Sequence, residues 1–441
     1  MTQPVLAPRP IQALVRRHAE DAAFYWSQLD GSTDSVLLRP DAVSGFQLQL
    51  EAHLEGLRAA GEDGLQEALT QLERWRKPGE AFVAVTQALS LGQGRRTPGL
   101  LKAMQWVGQQ PELLLRGALS ALARAAAPVR ATWVQTALTM DDPVELVMAL
   151  RALALAREPL PQWQRWAAHP SPHVRAAACR GAGQAQQDTL PALVRDPDVA
   201  VAAEAAIAIG RWAAAAQAQA DGPVGAAELW RSVEAQQAVL QGASGWDRHQ
   251  AQRRLRRWVR HLARIAPVGH PGLRPVMQTL PRRLALEAVL HHGDPAHLDL
   301  VLAAMNDPAH ARWAGWVWQS LTGVDLIEAG LVVEEPPLDL DAPLDANRQD
   351  ADLGLPLPDP ARVAALAGVA TNGAGMRMLL GRPVTAPQLR AWLTPSAEQP
   401  QALRHVAAQT LAWMHPDYPL DLRASEATQR QQLRRMGASV D

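Results

Sequence analysis

The stretch "SPHVRAAACRGAGQAQQDTLPALVRDPDVAVAAEAAIAIG", from Ser171 to Gly210, holds the same pattern twice. Each copy, Ser171–Gly183 and Asp196–Gly210, begins with Ser or Asp beside Pro, continues as an Ala-rich segment and closes on Gly. Ser and Asp accept hydrogen bonds from the free N–H groups of a new helix, Pro suits its first turn, and small residues at helical spacing let paired helices approach. "DDPVELVMALRALALA" (Asp141–Ala156) and "DPAHARWAGWVWQSLTG" (Asp307–Gly323) are looser copies. The 25 residues between the two best starts make a helix hairpin, shorter than a HEAT repeat, so the period drifts along the chain. The pattern predicts an all-α fold, a HEAT-like α-solenoid of stacked helix pairs.

Outward from this stretch, helical periodicity dominates and β-branched alternation is nearly absent. At 441 residues and 48% hydrophobic content the chain is long enough for two or three structural units. A net charge of -1 gives no global attraction to nucleic acid or anionic membrane. Charges interrupt every apolar run before it reaches membrane-spanning length, and no signal-peptide pattern opens the chain. The single cysteine, Cys179, excludes an internal disulfide framework and fits a reducing compartment, so a cytoplasmic location is expected.

Two segments interrupt the repeat. Arg248 to Leu286 carries ten arginines and no acid. At its centre, "RRLRRWVRHLARI" (Arg253–Ile265) places Arg253, Arg256, Arg257, Arg260 and Arg264 on one helix face, with Leu255, Trp258, Val259, Leu262 and Ile265 opposite. Glu334 to Asp359 has eight acids, five prolines and one base, Arg348, and is expected to be an irregular, extended linker. The expected organisation is an N-terminal helical cap (1–95), a repeat array (96–330), the acidic linker (331–359) and a C-terminal helical unit (360–441). Terminal units of atypical sequence suit a solenoid because they close its ends.

Motifs that carry chemistry are weak. There is no phosphate-binding Gly-rich loop with Lys, no nucleophile elbow and no Cys/His spacing for zinc. His291, His292, Asp294, His297 and Asp299 resemble a metal cluster by composition, but Asp294 and Pro295 read as a helix start and His297 cannot share a face with Asp299. No enzyme, cofactor or metal is expected. The Arg stripe is readable as a solvated face, as a phosphate track, or as a contact for an acidic protein surface, this chain's own acidic linker included. In the last repeat, Trp318 falls in register with the core positions Ala311, Ala314 and Leu321, whereas Trp313 and Trp316 lie on the opposite side. That helix is apolar nearly all round and is expected to be covered on both faces, by a neighbouring helix, the linker or a partner protein. Trp313, Trp316 and the five stripe arginines are therefore the candidate partner-binding residues.

Six blocks, "RRHAEDAAFYW" (Arg16–Trp26), "LEAHLEGLRAAGEDG" (Leu50–Gly64), "GEAFVAVTQAL" (Gly79–Leu89), "ARWAGWVWQSLTGVDL" (Ala311–Leu326), "DLGLPLPDPARV" (Asp352–Val363) and "MRMLLGRPVT" (Met376–Thr385), resemble, in the same order, the signature blocks of a proteobacterial HEAT-like repeat family often encoded near type VI secretion components and their effectors. The resemblance spans almost the whole chain and brings no established activity. Its framework positions here are His53, Gly56, Gly61, Gly64, Gly315, Gly323 and Asp325, expected to serve packing, turns and caps. The chain departs from the family at Gln47–Leu50 and at Ala364 and Ala365, where a double tryptophan is usual. The resemblance implies a non-catalytic protein-binding scaffold, an adaptor or chaperone-like factor for a type VI effector or spike component. The alternatives are an immunity protein that blocks a toxin and a nucleic-acid-binding HEAT-like protein or DNA glycosylase.

Overall fold

The computed structural model describes residues 10–215, 225–334, 352–367, 375–394, 398–415, 420–424 and 426–437. Among the described residues the chain is all-α, with one hairpin of two-residue strands. No described helix is long and apolar enough to cross a membrane. The chain forms two compact units, Met1–Ala208 with Arg423–Glu426, and Ile209–Leu422 with Ala427–Asp441.

The first unit holds α1 (Gln12–Ser32), α2 (Pro40–Ala59), α3 (Glu62–Trp75), α4 (Pro78–Gly92), α5 (Pro98–Gln109), α6 (Pro111–Arg124), α7 (Ala127–Ala137), α8 (Pro143–Ala156), α9 (Trp163–Ala167), α10 (Pro172–Arg180), α11 (Leu190–Leu193) and most of α12 (Val199–Ala215). Helices that open on proline use a residue whose missing N–H costs nothing in the first turn. The helices pack over one buried cluster that runs from Val15 to Leu153, both as successive pairs such as α1 with α2 and across them, as α4 with α6 and α6 with α8. That core passes through residue 95 without a break, because α4 packs against α1, α3, α5 and α6 together. The expected boundary at 95 therefore has no counterpart in the packing.

Close approach explains several framework residues. A Cβ on Gly117 of α6 would lie 1.9 Å from the Pro78 carbonyl oxygen of α4, so the two backbones touch where no side chain intervenes. On α2, a Cβ on Gly56 would meet the His18 ring of α1 at 2.7 Å, and His18 and His53 bring their Nδ1 atoms to 3.0 Å. Gly61, at φ +57° and ψ -124°, starts α3 in a conformation that residues with a Cβ rarely adopt.

The repeat signals hold unevenly. The Asp142 and Asp198 carboxylates accept from the backbone N–H groups of Val144 and Ala200, each at 2.9 Å, and start α8 and α12. The Ser171 side chain makes no such cap; its backbone N–H donates to His169 Nδ1 instead. Gly210 does not end its helix: α12 continues to Ala215, and the missing side chain admits Ile265 and Trp413. Gly323 does end α18, in the left-handed region at φ +72°.

The second unit holds α13 (Ala226–Gly242), α14 (Gly245–Ile265), α15 (Leu273–Thr279), α16 (Arg282–His292), α17 (Leu298–Ala304), α18 (Ala311–Thr322), α19 (Pro360–Ala367), β1 (Met378–Leu379), β2 (Arg382–Pro383), α20 (Ala386–Leu393), α21 (Gln401–Met414) and α22 (Glu426–Arg435). Here α14 packs on α13 and α16, α18 on α16 and α17, and α20 on α21. The expected linker is not irregular throughout. Its two ends form an antiparallel bridge, Val332 with Pro358, with the Val333 N–H donating to the Leu357 carbonyl at 2.9 Å. Residues 335–351 of that call lie outside the described residues.

Candidate functional site

All seven candidate residues stand in the second unit, on α14 and α18. On α14 the apolar half behaves as its periodicity predicts: Leu255, Trp258, Val259 and Leu262 are buried. The arginine half divides. Arg253 is exposed, Arg256, Arg257 and Arg260 are half-buried, and Arg264 is buried. Arg256 Nε donates to both carboxylate oxygens of Glu287 on α16, each at 2.8 Å, and Arg260 Nε donates to the same group at 2.9 Å. Glu287 is only 2% exposed, so this is a desolvated cluster in which one acid answers two guanidinium groups. Further along, Arg264 Nη2 donates to His291 Nδ1 at 2.7 Å. Burial first, then the neighbouring arginines Arg264 and Arg260, hold His291 well below its ordinary pKa, so its ring is the acceptor.

Arg256, Arg260 and Arg264 thus each bond a residue of α16. The described part of the acidic segment does not meet the stripe: Asp352 pairs instead with Arg283 of α16, through two bonds of 2.7 and 2.8 Å. Glu287 is the first acid after the acid-free run Arg248–Leu286, and that position was the one sequence signal of its role.

Trp313, Trp316 and Trp318 are all buried on α18. Trp318 sits in the core as its register predicts, and Trp313 and Trp316 stack on each other with ring centroids 4.8 Å apart. The Arg283 guanidinium lies over the Trp313 ring at 4.3 Å while it grips Asp352. A planar cation between an aromatic face and a carboxylate satisfies both at once. Beside it, Arg312 Nη1 donates to the Leu355 carbonyl at 2.6 Å. A Cβ on Gly315 would meet Pro358 at 3.1 Å, so this glycine lets the returning chain lie against the helix. The far end of the acidic segment therefore lies along α18 at Arg312 and Gly315, and its Asp352 holds the arginine that covers Trp313. Asp352→Ala is expected to raise hydroxyl-radical oxidation of Trp313 and Trp316 several-fold, with Trp318 unchanged; equal oxidation in both proteins would show that Asp352 does not hold the cover down.

The block Met376–Thr385, read from the sequence only as a signature, joins the ends of three helices. The Leu380 and Gly381 N–H groups donate to the Ser320 and Leu321 carbonyls of α18 at 2.7 and 3.0 Å, and the Met378 N–H donates to the Gly293 carbonyl just after α16. Arg377 Nη1 donates to the His292 and Ala263 carbonyls at 2.8 and 3.3 Å, and Nη2 to those of Arg264 and Ala266 at 2.8 and 2.7 Å. One guanidinium thereby covers the carbonyl ends of α14 and α16, where a cation is also favoured by the helix dipoles. Burial lowers Arg377 to about 10, which leaves it charged at neutral pH. Nothing in the residue pattern around Arg377 marks this role.

Of the five histidines and acids read together from the sequence, the structure joins three. His292, the last residue of α16, Asp294, which caps the short 3-10 turn Pro295–His297, and His297 itself place their donor atoms within 4.8 Å of one another. The Asp294 carboxylate accepts from the Ala296 and Gly269 N–H groups at 3.0 and 3.1 Å. Burial, reinforced by Arg377, pushes His292 down to about 4. Asp299 is elsewhere, paired with Arg274 on the surface. Asp294 does start a turn, as its place before Pro295 predicts, and it is that turn which swings His297 back toward His292. Cys179 is buried and its thiol is pushed up to about 12 by burial, which keeps it a packed, unreactive group. Set against family models, curated proteins and solved structures, the chain matches none of them.

Proposed function

We propose that this chain is a non-catalytic protein-binding scaffold, an adaptor or chaperone-like accessory factor for a type VI effector or spike component. The reading rests on the stacked helix pairs and on the family resemblance of the signature blocks. With Arg256, Arg260 and Arg264 engaged on α16 and the tryptophan pair buried, we place the docking surface in the first unit. The carrying observation is Trp75, at the end of α3, 46% exposed at a cleft of 330 Å³ that it lines with Glu20, Gln71, Lys77 and Glu80. Its indole N–H donates to Gln71 at 3.0 Å, and Arg74 and Lys77 flank the ring at 4.8 and 5.5 Å. A fixed, half-exposed tryptophan with charges around it has the composition of an interface hot spot. The phosphate-track alternative is weakened because Arg256, Arg260 and Arg264 are engaged by Glu287 and His291.

The test is affinity purification of the tagged protein from its native cell, with Trp75→Ala in parallel. A secretion component or secreted effector is expected with the wild type, and at least ~10-fold less with Trp75→Ala, the scale of a hot-spot loss. Recovery of no such protein, together with unrelated neighbouring genes, would end the adaptor reading. Undiminished recovery with Trp75→Ala would move the interface away from this cleft.

A further inference from the structure

Two buried imidazoles in the second unit each keep a nitrogen with no partner. His292 is fully buried and His297 is 7% exposed. The His292 Nδ1–H donates to the Ala263 carbonyl at 2.8 Å, which leaves Nε2 with its lone pair, and that Nε2 has no hydrogen-bond partner. The His297 Nδ1 is likewise buried without one. Between them stands the Asp294 carboxylate, 2% exposed, with Oδ2 at 3.9 Å from His292 Nε2. Unsatisfied buried polar atoms are rare and costly, and two of them in one cluster with a buried carboxylate call for a common occupant.

We propose that His292 Nε2, an Asp294 carboxylate oxygen and His297 Nδ1 bind a first-row divalent transition-metal ion, Zn²⁺ being the ion the donor set fits first. Two imidazoles and one carboxylate are borderline ligands, suited to zinc and its neighbours rather than to calcium or magnesium, which take oxygen. An ion bonded at about 2.0–2.2 Å spans donor pairs up to about 4.4 Å apart. The His292–Asp294 pair is inside that span, and the widest separation of 4.8 Å closes by small side-chain rotations. The supporting contacts are those a metal-bound histidine usually has: a backbone carbonyl holds the other nitrogen of His292, and two backbone N–H groups hold the carboxylate. Charge is balanced rather than uniformly favourable, since Arg377 and Arg274 oppose a dication while Asp294 and Asp299 attract it. The ion would clasp the end of α16 to the Pro295–His297 turn and, through Gly269, to the loop after α14. Its role is structural, and its loading is coupled to folding because the donors are enclosed.

The experiment uses the full chain, stripped with a chelator and titrated with Co²⁺ as a spectroscopic substitute for Zn²⁺. The wild type is expected to take up about one equivalent and to develop visible ligand-field absorption. Zn²⁺ should displace it and raise the melting temperature of the second unit. Asp294→Asn, which keeps the shape but only one of the two acceptor oxygens, and His297→Gln should lose the band and weaken affinity by more than the ~10–100-fold cost of losing an outer-shell partner. Their metal-free circular dichroism should match that of the metal-free wild type; if Asp294→Asn alters it, His297→Gln decides. A wild type with no band overturns the proposal and assigns the two nitrogens to a buried water. A band that survives in both variants overturns it as well, because the ion then sits elsewhere.

Discussion

Arg377→Met is expected to destabilise the second unit by about 3–5 kcal/mol, the scale on which loss of one partner of a buried charged cluster acts. The reason lies in what the guanidinium covers. His292, Arg264 and Ala266 each present a helix-end carbonyl to it at 2.7–2.8 Å. The Ala263 carbonyl keeps a second donor, the Nδ1–H of His292, and survives the change. Three acceptors are then left in a buried place without a donor, each worth roughly 1–3 kcal/mol before relaxation. Regaining the solvation of the arginine in the unfolded chain no longer matters once it is gone, which trims the sum to the stated range. Arg377→Lys should recover only part of the loss, since a single ammonium cannot spread over acceptors belonging to two helices. Denaturant unfolding, with hydrogen exchange read at the last turns of α14 and α16, checks this. A loss under about 1 kcal/mol, or exchange unchanged at those turns, would show that the carbonyls find water instead.

Glu287→Ala is the second change with a large expected effect, again about 3–5 kcal/mol. Removing this carboxylate deletes a buried negative charge that bonds Arg256 and Arg260, beside the buried Arg264, whose Nη2 donates to His291. Burial and then the neighbouring arginines Arg260, Arg377 and Arg257 hold Arg264 well below its ordinary pKa. The loss should shrink as salt rises, because added anions can take the vacated place. The double change Glu287→Leu with Arg260→Met should be markedly milder than the sum of the two single changes, since an apolar pair costs far less than a lone buried charge. Additive losses in that cycle would mean that Arg260 and Glu287 do not act as a pair.

These two residues show where the sequence was legible and where it was not. The 100° period of a helix assigns residues to faces, so the split of α14 into an apolar and an arginine half, and the place of Trp318 in the core, needed nothing else. Local hydrogen bonding did the same for the ends of elements: Asp142, Asp198 and Asp294 each bond an N–H two residues on, and Gly323 relieves the left-handed turn that closes α18. Short-range chemistry failed at Ser171, whose side chain makes no cap, and at Gly210, whose absent side chain makes room for Ile265 and Trp413 while the helix runs on.

What a face meets is a different matter. Glu287 lies 31 residues from Arg256, Asp352 lies 69 from Arg283, and Arg377 lies 113 from the Arg264 carbonyl it covers. No period links such positions, and the energy of each contact depends on burial that exists only after the helices have packed. The same holds for His292 and His297, five residues apart, yet joined only because Gly293 and the Asp294 cap turn the chain between them. By itself the sequence determined that the chain is all-α, where most of its helices begin, and which residues share a side. Tertiary structure alone decided that Arg256 and Arg260 answer Glu287, that Trp313 lies under the arginine that Asp352 holds, and that two histidines and an aspartate converge, because distance and desolvation are properties of the packed helices and not of the spacing along the chain.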